Sequence, residues 1–146
     1  MSTAEAERPF RVQRREHRFG EILGASPAMQ KVYREIDHIA PYPVRVLIVG
    51  ETGTGKDLVA RAIHDRSTRR RGPYVPVNMG AIPTELIAST LFGHEKGAFT
   101  GAMSAQKGLF ETAHEGTLFL DEISTADAAT QVSLLRVIES GRSQRV

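Results

Sequence analysis

The 146-residue chain contains no cysteine, which excludes a disulfide framework and any thiolate metal site and suits a reducing compartment such as the cytoplasm. No apolar run approaches the roughly 18 residues needed to cross a bilayer, and the first residues carry charge without the apolar stretch of a secretory leader. Charge of one sign is also scarce. Nineteen Lys and Arg against seventeen Asp and Glu leave a net charge of +2, so nucleic acid is only weakly indicated as a partner. The local cluster Arg66, Arg69, Arg70 and Arg71 reads as a solvated loop after a helix, with phosphate contact as the alternative. The five histidines, His17, His38, His64, His94 and His114, show no metal-ligand spacing on one helix face and read as surface or loop residues. No internal repeat is present.

What remains is an ordinary globular composition, 40% hydrophobic and 25% charged, enough for one core of modest size. Residues 1–19 are polar and arginine-rich and read as a disordered tail or linker; residues 20–146 read as the folded part. Ser26-Pro27 signals a helix start, and Met29, Val32, Ile36 and Ile39 supply one apolar face that ends before Pro41 and Pro43. Residues 44–49 are nearly all apolar and β-branched, the pattern of a buried parallel strand. A glycine-rich turn and a helix with Leu58/Ala62 and Val59/Ile63 spacing follow. Residues 74–77 read as a short strand, which Pro76 confines to a sheet edge. A helix over 83–92, a long loop over 93–108, a strand over 117–120 and a helix begun by Asp127 complete the pattern.

Three motifs carry chemistry. Gly50-Glu51-Thr52-Gly53-Thr54-Gly55-Lys56-Asp57 has Walker A spacing. Its glycines let backbone N–H groups converge on phosphate oxygens, the following helix turns its positive end toward the same anion, and Lys56 adds a point charge. Asp57 stands where the general pattern has a hydroxyl for Mg²⁺; a carboxylate holds that ion directly or through water. Thr117-Leu118-Phe119-Leu120-Asp121-Glu122 is an apolar strand ending in two acids. Such a pair is by itself ambiguous with a helix cap. Downstream of the glycine loop it reads as Walker B, with Asp121 on Mg²⁺ and Glu122 as the base that polarises water. Gly97-Ala98-Phe99-Thr100-Gly101-Ala102 lies in the long loop. Its glycines either leave Phe99 at a tip that docks on a partner or let it tuck into the core.

Taken together, VLIVGETGTGKDLVARAIH, LFGHEKGAFTGA and GTLFLDEI make residues 20–146 resemble the central domain of sigma-54-dependent transcription activators. The resemblance implies an α/β P-loop NTPase fold of AAA+ type, a parallel sheet flanked by helices. It implies a cytoplasmic hexameric ring with ATP and Mg²⁺ between subunits. It also implies a GAFTGA loop driven by hydrolysis against sigma-54 RNA polymerase, with Gly97, Ala98, Phe99, Thr100, Gly101 and Ala102 at the contact. It makes an acidic Asp57 ordinary and casts Asn78, otherwise a plain turn residue, as the partner that couples Glu122 to the loop. Ile22 and Leu23 fall in the adenine-lining segment. Met79 and Gly80 replace the family's usual Cys and Ala.

The same resemblance makes the chain stop short of the sensor I strand, the arginine fingers and the helical lid. Two expectations follow. Residues 44–49 and 117–120 would lack the strand that lies between them, which makes the sheet marginal. Hydrolysis would be slow or absent, since arginine fingers contribute about 10³–10⁵ in rate to related phosphoryl transfers. The alternative to an active ATPase is therefore a non-hydrolysing fragment that binds sigma-54 or poisons a ring. No sequence-specific DNA binding is expected of this segment.

Overall fold

The computed structural model describes residues 18–98 and 103–140. The elements run in the order β1 (Arg18–Phe19), β2 (Ile22–Leu23), α1 (Pro27–Ile39), α2 (Lys56–Arg66), β3 (Tyr74–Asn78), α3 (Thr84–Phe92), β4 (Gly93–His94), β5 (Gln106–Lys107), α4 (Leu109–Thr112), β6 (Thr117–Asp121) and α5 (Ala128–Ser140). Single 3₁₀ turns, Met79–Ala81 and Ile123–Thr125, follow β3 and β6.

Helix starts follow the local chemistry. Ser26 caps α1 by accepting the Met29 N–H at 3.2 Å, with Pro27 at the first helical position. Asp127 caps α5 by accepting the Thr130 N–H at 2.7 Å, and hydrogen bonds from the Thr130 side chain and then its backbone hold the Asp127 carboxyl below the usual carboxylate range. A side-chain oxygen in this role satisfies a helix-end donor that the backbone cannot.

The sheet that matters is a parallel pair. β3 lies beside β6 in the register Tyr74↔Thr117, Val75↔Leu118, Pro76↔Phe119, Val77↔Leu120 and Asn78↔Asp121. Among the described residues each strand has only this one strand neighbour, the edge arrangement in which a proline such as Pro76 is tolerated. One core packs around this pair, with Val77, Met79, Ile87, Leu91, Phe92, Ala126 and Leu134 buried. A second joins the N-terminal hairpin, α1 and α2 through Ile22, Tyr33, Ile36 and Ala62.

Several expectations change. Residues 44–49 form no strand, and Val46, Leu47 and Val49 are 42%, 81% and 86% exposed. The physical reason lies on the far edge of β6. No described strand stands there to carry this segment, and a lone strand satisfies none of its own backbone groups. The polar tail yields its last two residues to β1, because Phe19 finds a stacking partner in Tyr33. His64 and His94 are buried, at 3% and 7% exposure, rather than superficial. The loop over 93–108 is closed at its base by β4 and β5, antiparallel with Gly93↔Lys107 and His94↔Gln106.

Candidate functional site

The glycine-rich turn leads directly into α2. Gly53 and Gly55 have φ of 80° and 84°, the left-handed region that a side chain disfavours. Gly55 is the N-cap of α2, and its carbonyl accepts the Val59 N–H at 3.1 Å. Lys56 curls back over the turn, its Nζ donating to Gly50 O at 3.0 Å and Glu51 O at 2.8 Å. Thr54 Oγ1 donates to Glu51 O at 2.7 Å. The result is a compact ring of backbone with an ammonium held at its centre. No atom lies within 4 Å of where a Gly53 Cβ would stand. Asp57 sits in the first turn of α2, where a carboxylate is favoured by the helix dipole. An exposed turn of this shape, with a helix start and a lysine, fits a polyphosphate.

The acids stand at the end of β6. Asp121 closes the strand beside Asn78, and its Oδ1 accepts the Glu122 N–H at 3.0 Å. Glu122 takes a left-handed backbone, φ 54°, uncommon for a residue with a Cβ and characteristic of strained functional positions. Three bonds fix it there. Besides its own N–H, its carbonyl accepts from Thr125 N at 3.0 Å and Thr125 Oγ1 at 2.8 Å. Asn78 Oδ1 accepts the Gly80 N–H at 2.8 Å, and a Cβ on Gly80 would collide with Glu122 Oε2. Asn78, Gly80, Asp121 and Glu122 thus form one cluster at the strand ends. The glycine at 80, where the family usually has Ala, leaves room for the Glu122 carboxylate, a consequence that the substitution alone does not reveal.

A buried histidine aligns the two halves. His64 Nδ1 lies 2.9 Å from Thr117 Oγ1, and its ring tilts against Tyr74 with centroids 5.2 Å apart. Burial pushes its imidazole below the usual histidine range; Arg61 adds to the effect and Asp65 opposes it. Tyr74 in turn carries Arg61 over its ring at 4.9 Å. The last turns of α2 are therefore pinned to the starts of β3 and β6. Eight residues of helix span about 12 Å and four of strand about 13 Å. α2 precedes a strand parallel to β6 and runs back against both, so its Lys56 end returns toward the Asp121 end of the sheet. Sequence reading missed His64, although Ala60 and His64 share a helical face at i,i+4, the spacing of a buried stripe.

The other expected site residues are dispersed. Ile22 is 6% exposed and packed in the core, while its neighbour Leu23 is 70% exposed. Gly97, with φ 85°, and Ala98 are exposed beyond β4. Phe99, Thr100, Gly101 and Ala102 lie outside the described residues.

This arrangement has a known counterpart. The sigma-54 interaction domain matches residues 22–146. The chain belongs to that family. It is 56% identical over 120 residues to the DNA-binding transcriptional regulator NtrC of Azospirillum brasilense, covering 82% of this chain and 25% of that protein. It is 50% identical over 128 residues to the regulatory protein AtoC of Escherichia coli, covering 88% and 28%. Among solved structures, NtrX from Brucella abortus in complex with ATP matches with a TM-score of 0.76 at 39% identity, over 86% of this chain and 26% of that one. The chain thus spans about a quarter of the length of the curated relatives it matches. Family and structural likeness agree on the AAA+ P-loop fold, of which β3, β6, α2 and the glycine turn are the visible parts. Among the described residues no helix is long and apolar enough to cross a membrane.

Proposed function

We propose that this chain is the nucleotide-binding part of a sigma-54-dependent transcription activator. The observation that carries the reading is the pair of preformed ends: a lysine-centred glycine turn on α2, and the Asn78–Gly80–Asp121–Glu122 cluster on β3 and β6. On this reading Gly50, Glu51, Thr52, Gly53, Thr54, Gly55 and Lys56 hold the phosphates of ATP. The two carbonyls that now hold the Lys56 ammonium share it with phosphate oxygens. Asp121 and Asp57 are the residues that would hold Mg²⁺, and the bound ion would neutralise phosphate charge. Glu122 polarises the attacking water, and Asn78, one position from it across the strand pair, senses its position. Ile22 seats the hairpin while Leu23 offers an apolar surface to adenine.

The segment Gly97–Ala102 would dock on sigma-54 RNA polymerase, within a hexamer of the complete subunit in the cytoplasm. The name of the family supports the sigma-54 partner. The exposure of residues 44–49 favours a second reading for the chain by itself, in which it binds nucleotide without turning it over.

The test is titration with a fluorescent ATP analogue and Mg²⁺, followed by sigma-54 capture with a transition-state analogue of ATP. The chain should bind nucleotide, and Lys56→Ala should lose the signal. Binding that survives Lys56→Ala would remove the glycine turn from the site. Capture failing while nucleotide binds would sink the sigma-54 assignment. Steady phosphate release at the rate of an intact activator would reject the second reading.

A further inference from the structure

The β1–β2 hairpin is held by a layered contact that none of the motifs announces. The Tyr33 ring stacks on Phe19 with centroids 4.5 Å apart and planes 8° from parallel. The Arg66 guanidinium carbon lies 3.6 Å from the centroid of the same Phe19 ring. Two groups that close cannot share one face of a six-membered ring, so phenylalanine is the filling between tyrosine and arginine. Both outer layers are tied down. Arg66 Nε donates to Asp37 Oδ1 at 2.9 Å, and Tyr33 Oη donates to Gly24 O at 3.1 Å. The hairpin, α1 and the end of α2 therefore meet in one stack. Three residues further along the hairpin, Ile22 is buried against Tyr33, Ile36 and Ala62, with Leu58 and Val59 packed on the same cluster. Leu58 and Val59 lie in the first turn after Lys56. Gly20, with φ 63°, makes the turn that sends Phe19 and Ile22 to their places.

We propose that Arg66 is a positioning residue for the adenine side of the nucleotide site: stacked on Phe19 and paired with Asp37, it fixes where β2 holds Leu23 relative to the glycine turn. This rests on the reading that Ile22 and Leu23 face adenine. Arg66 touches no phosphate in this role and acts only through the hairpin. A planar guanidinium is needed, because it can lie on a ring while bonding a carboxylate edge-on; an ammonium cannot do both.

The contrast that isolates the effect is ATP against inorganic tripolyphosphate, measured by calorimetry on the 146-residue chain in Mg²⁺. Tripolyphosphate engages only the glycine turn and Lys56. Arg66→Ala should weaken ATP by about three- to thirtyfold, the range of a partly buried cation–ring contact, and leave tripolyphosphate unchanged. Phe19→Leu should do the same, and Phe19→Tyr should restore ATP. Asp37→Asn, at an exposed carboxylate, should give a smaller loss in the same direction without threatening the fold. An unsubstituted chain with no preference for ATP over tripolyphosphate overturns the adenine reading and this proposal with it. A chain that prefers ATP, with Arg66→Ala and Asp37→Asn keeping that full preference, overturns this proposal alone. Equal loss of both ligands in Arg66→Ala assigns Arg66 to global stability and also overturns it.

Discussion

Replacing Thr117 by valine keeps shape and removes one hydroxyl, so it isolates the bond between α2 and the sheet. His64 is 3% exposed, and its Nδ1 lies 2.9 Å from Thr117 Oγ1. Either partner can be the donor, because a hydroxyl rotates to suit the imidazole tautomer. In Thr117→Val the ring nitrogen stays buried and loses that partner, a cost of about 1–3 kcal/mol. For a domain of this size that lowers the melting temperature by roughly 4–12 °C. The assay is thermal unfolding followed by far-UV circular dichroism at pH 8.

A pH series adds a second check. Burial places the folded-state pKa of His64 below its ordinary value. The unfolded chain therefore takes up a proton, near pH 6.5, that the folded chain refuses. Stability contributed by the neutral form is fully present above that pH and declines as pH falls toward the folded value, by at most about 1.4 kcal/mol per pH unit. His64→Gln removes the titration, so its stability should fall less between pH 7 and 5 than that of the parent. Thr117→Val melting within about a degree of the parent, or equal slopes in His64→Gln and the parent, would refute the account of His64 as a buried neutral pin.

Three further outcomes are expected. Leu91→Ala empties a fully buried position between α3 and the strand pair and should cost about 2–5 kcal/mol in denaturant unfolding. Ser26→Ala removes the cap of α1 and should cost about 1 kcal/mol, while Ser26→Asp should recover most of it; equal stability of all three would show that Ser26 does not act as the cap. A Cβ at Gly108 would run into backbone of Leu91, Phe92 and Gly93, which cannot yield as a side-chain tip can. Gly108→Ala should therefore open β4–β5, seen as faster hydrogen exchange at His94 and Lys107, whereas a Cβ at Gly80 meets side-chain atoms, the movable end of Glu122 and Asn78 Oδ1, and Gly80→Ala should leave stability nearly intact.

Local signals survived translation into structure where the determinant was itself local. Ser26-Pro27 and Asp127 started helices because a side-chain oxygen and a fixed φ act within one turn. Gly53 and Gly55 adopted left-handed backbone because only the chain's own geometry was at stake. Pro76 marked a strand with one neighbour for the same reason. The glycine turn running into α2 was equally legible, since its shape is a property of consecutive backbone groups.

Strand formation at 44–49 was not of this kind. A β-branched run has the propensity for a strand, but its hydrogen bonds are made by another segment, and among the described residues none stands beside it. Nor could pattern reveal that His64 finds Thr117 fifty-three positions away, that Glu122 rests where Gly80 lacks a side chain, or that Arg66 lies on Phe19. By itself the sequence determined the caps, the glycine turn, the paired acids at the end of β6 and the family. Only the tertiary structure decided which strands pair, which histidines are buried and what holds the N-terminal hairpin, because those depend on contacts between residues that chain order keeps far apart.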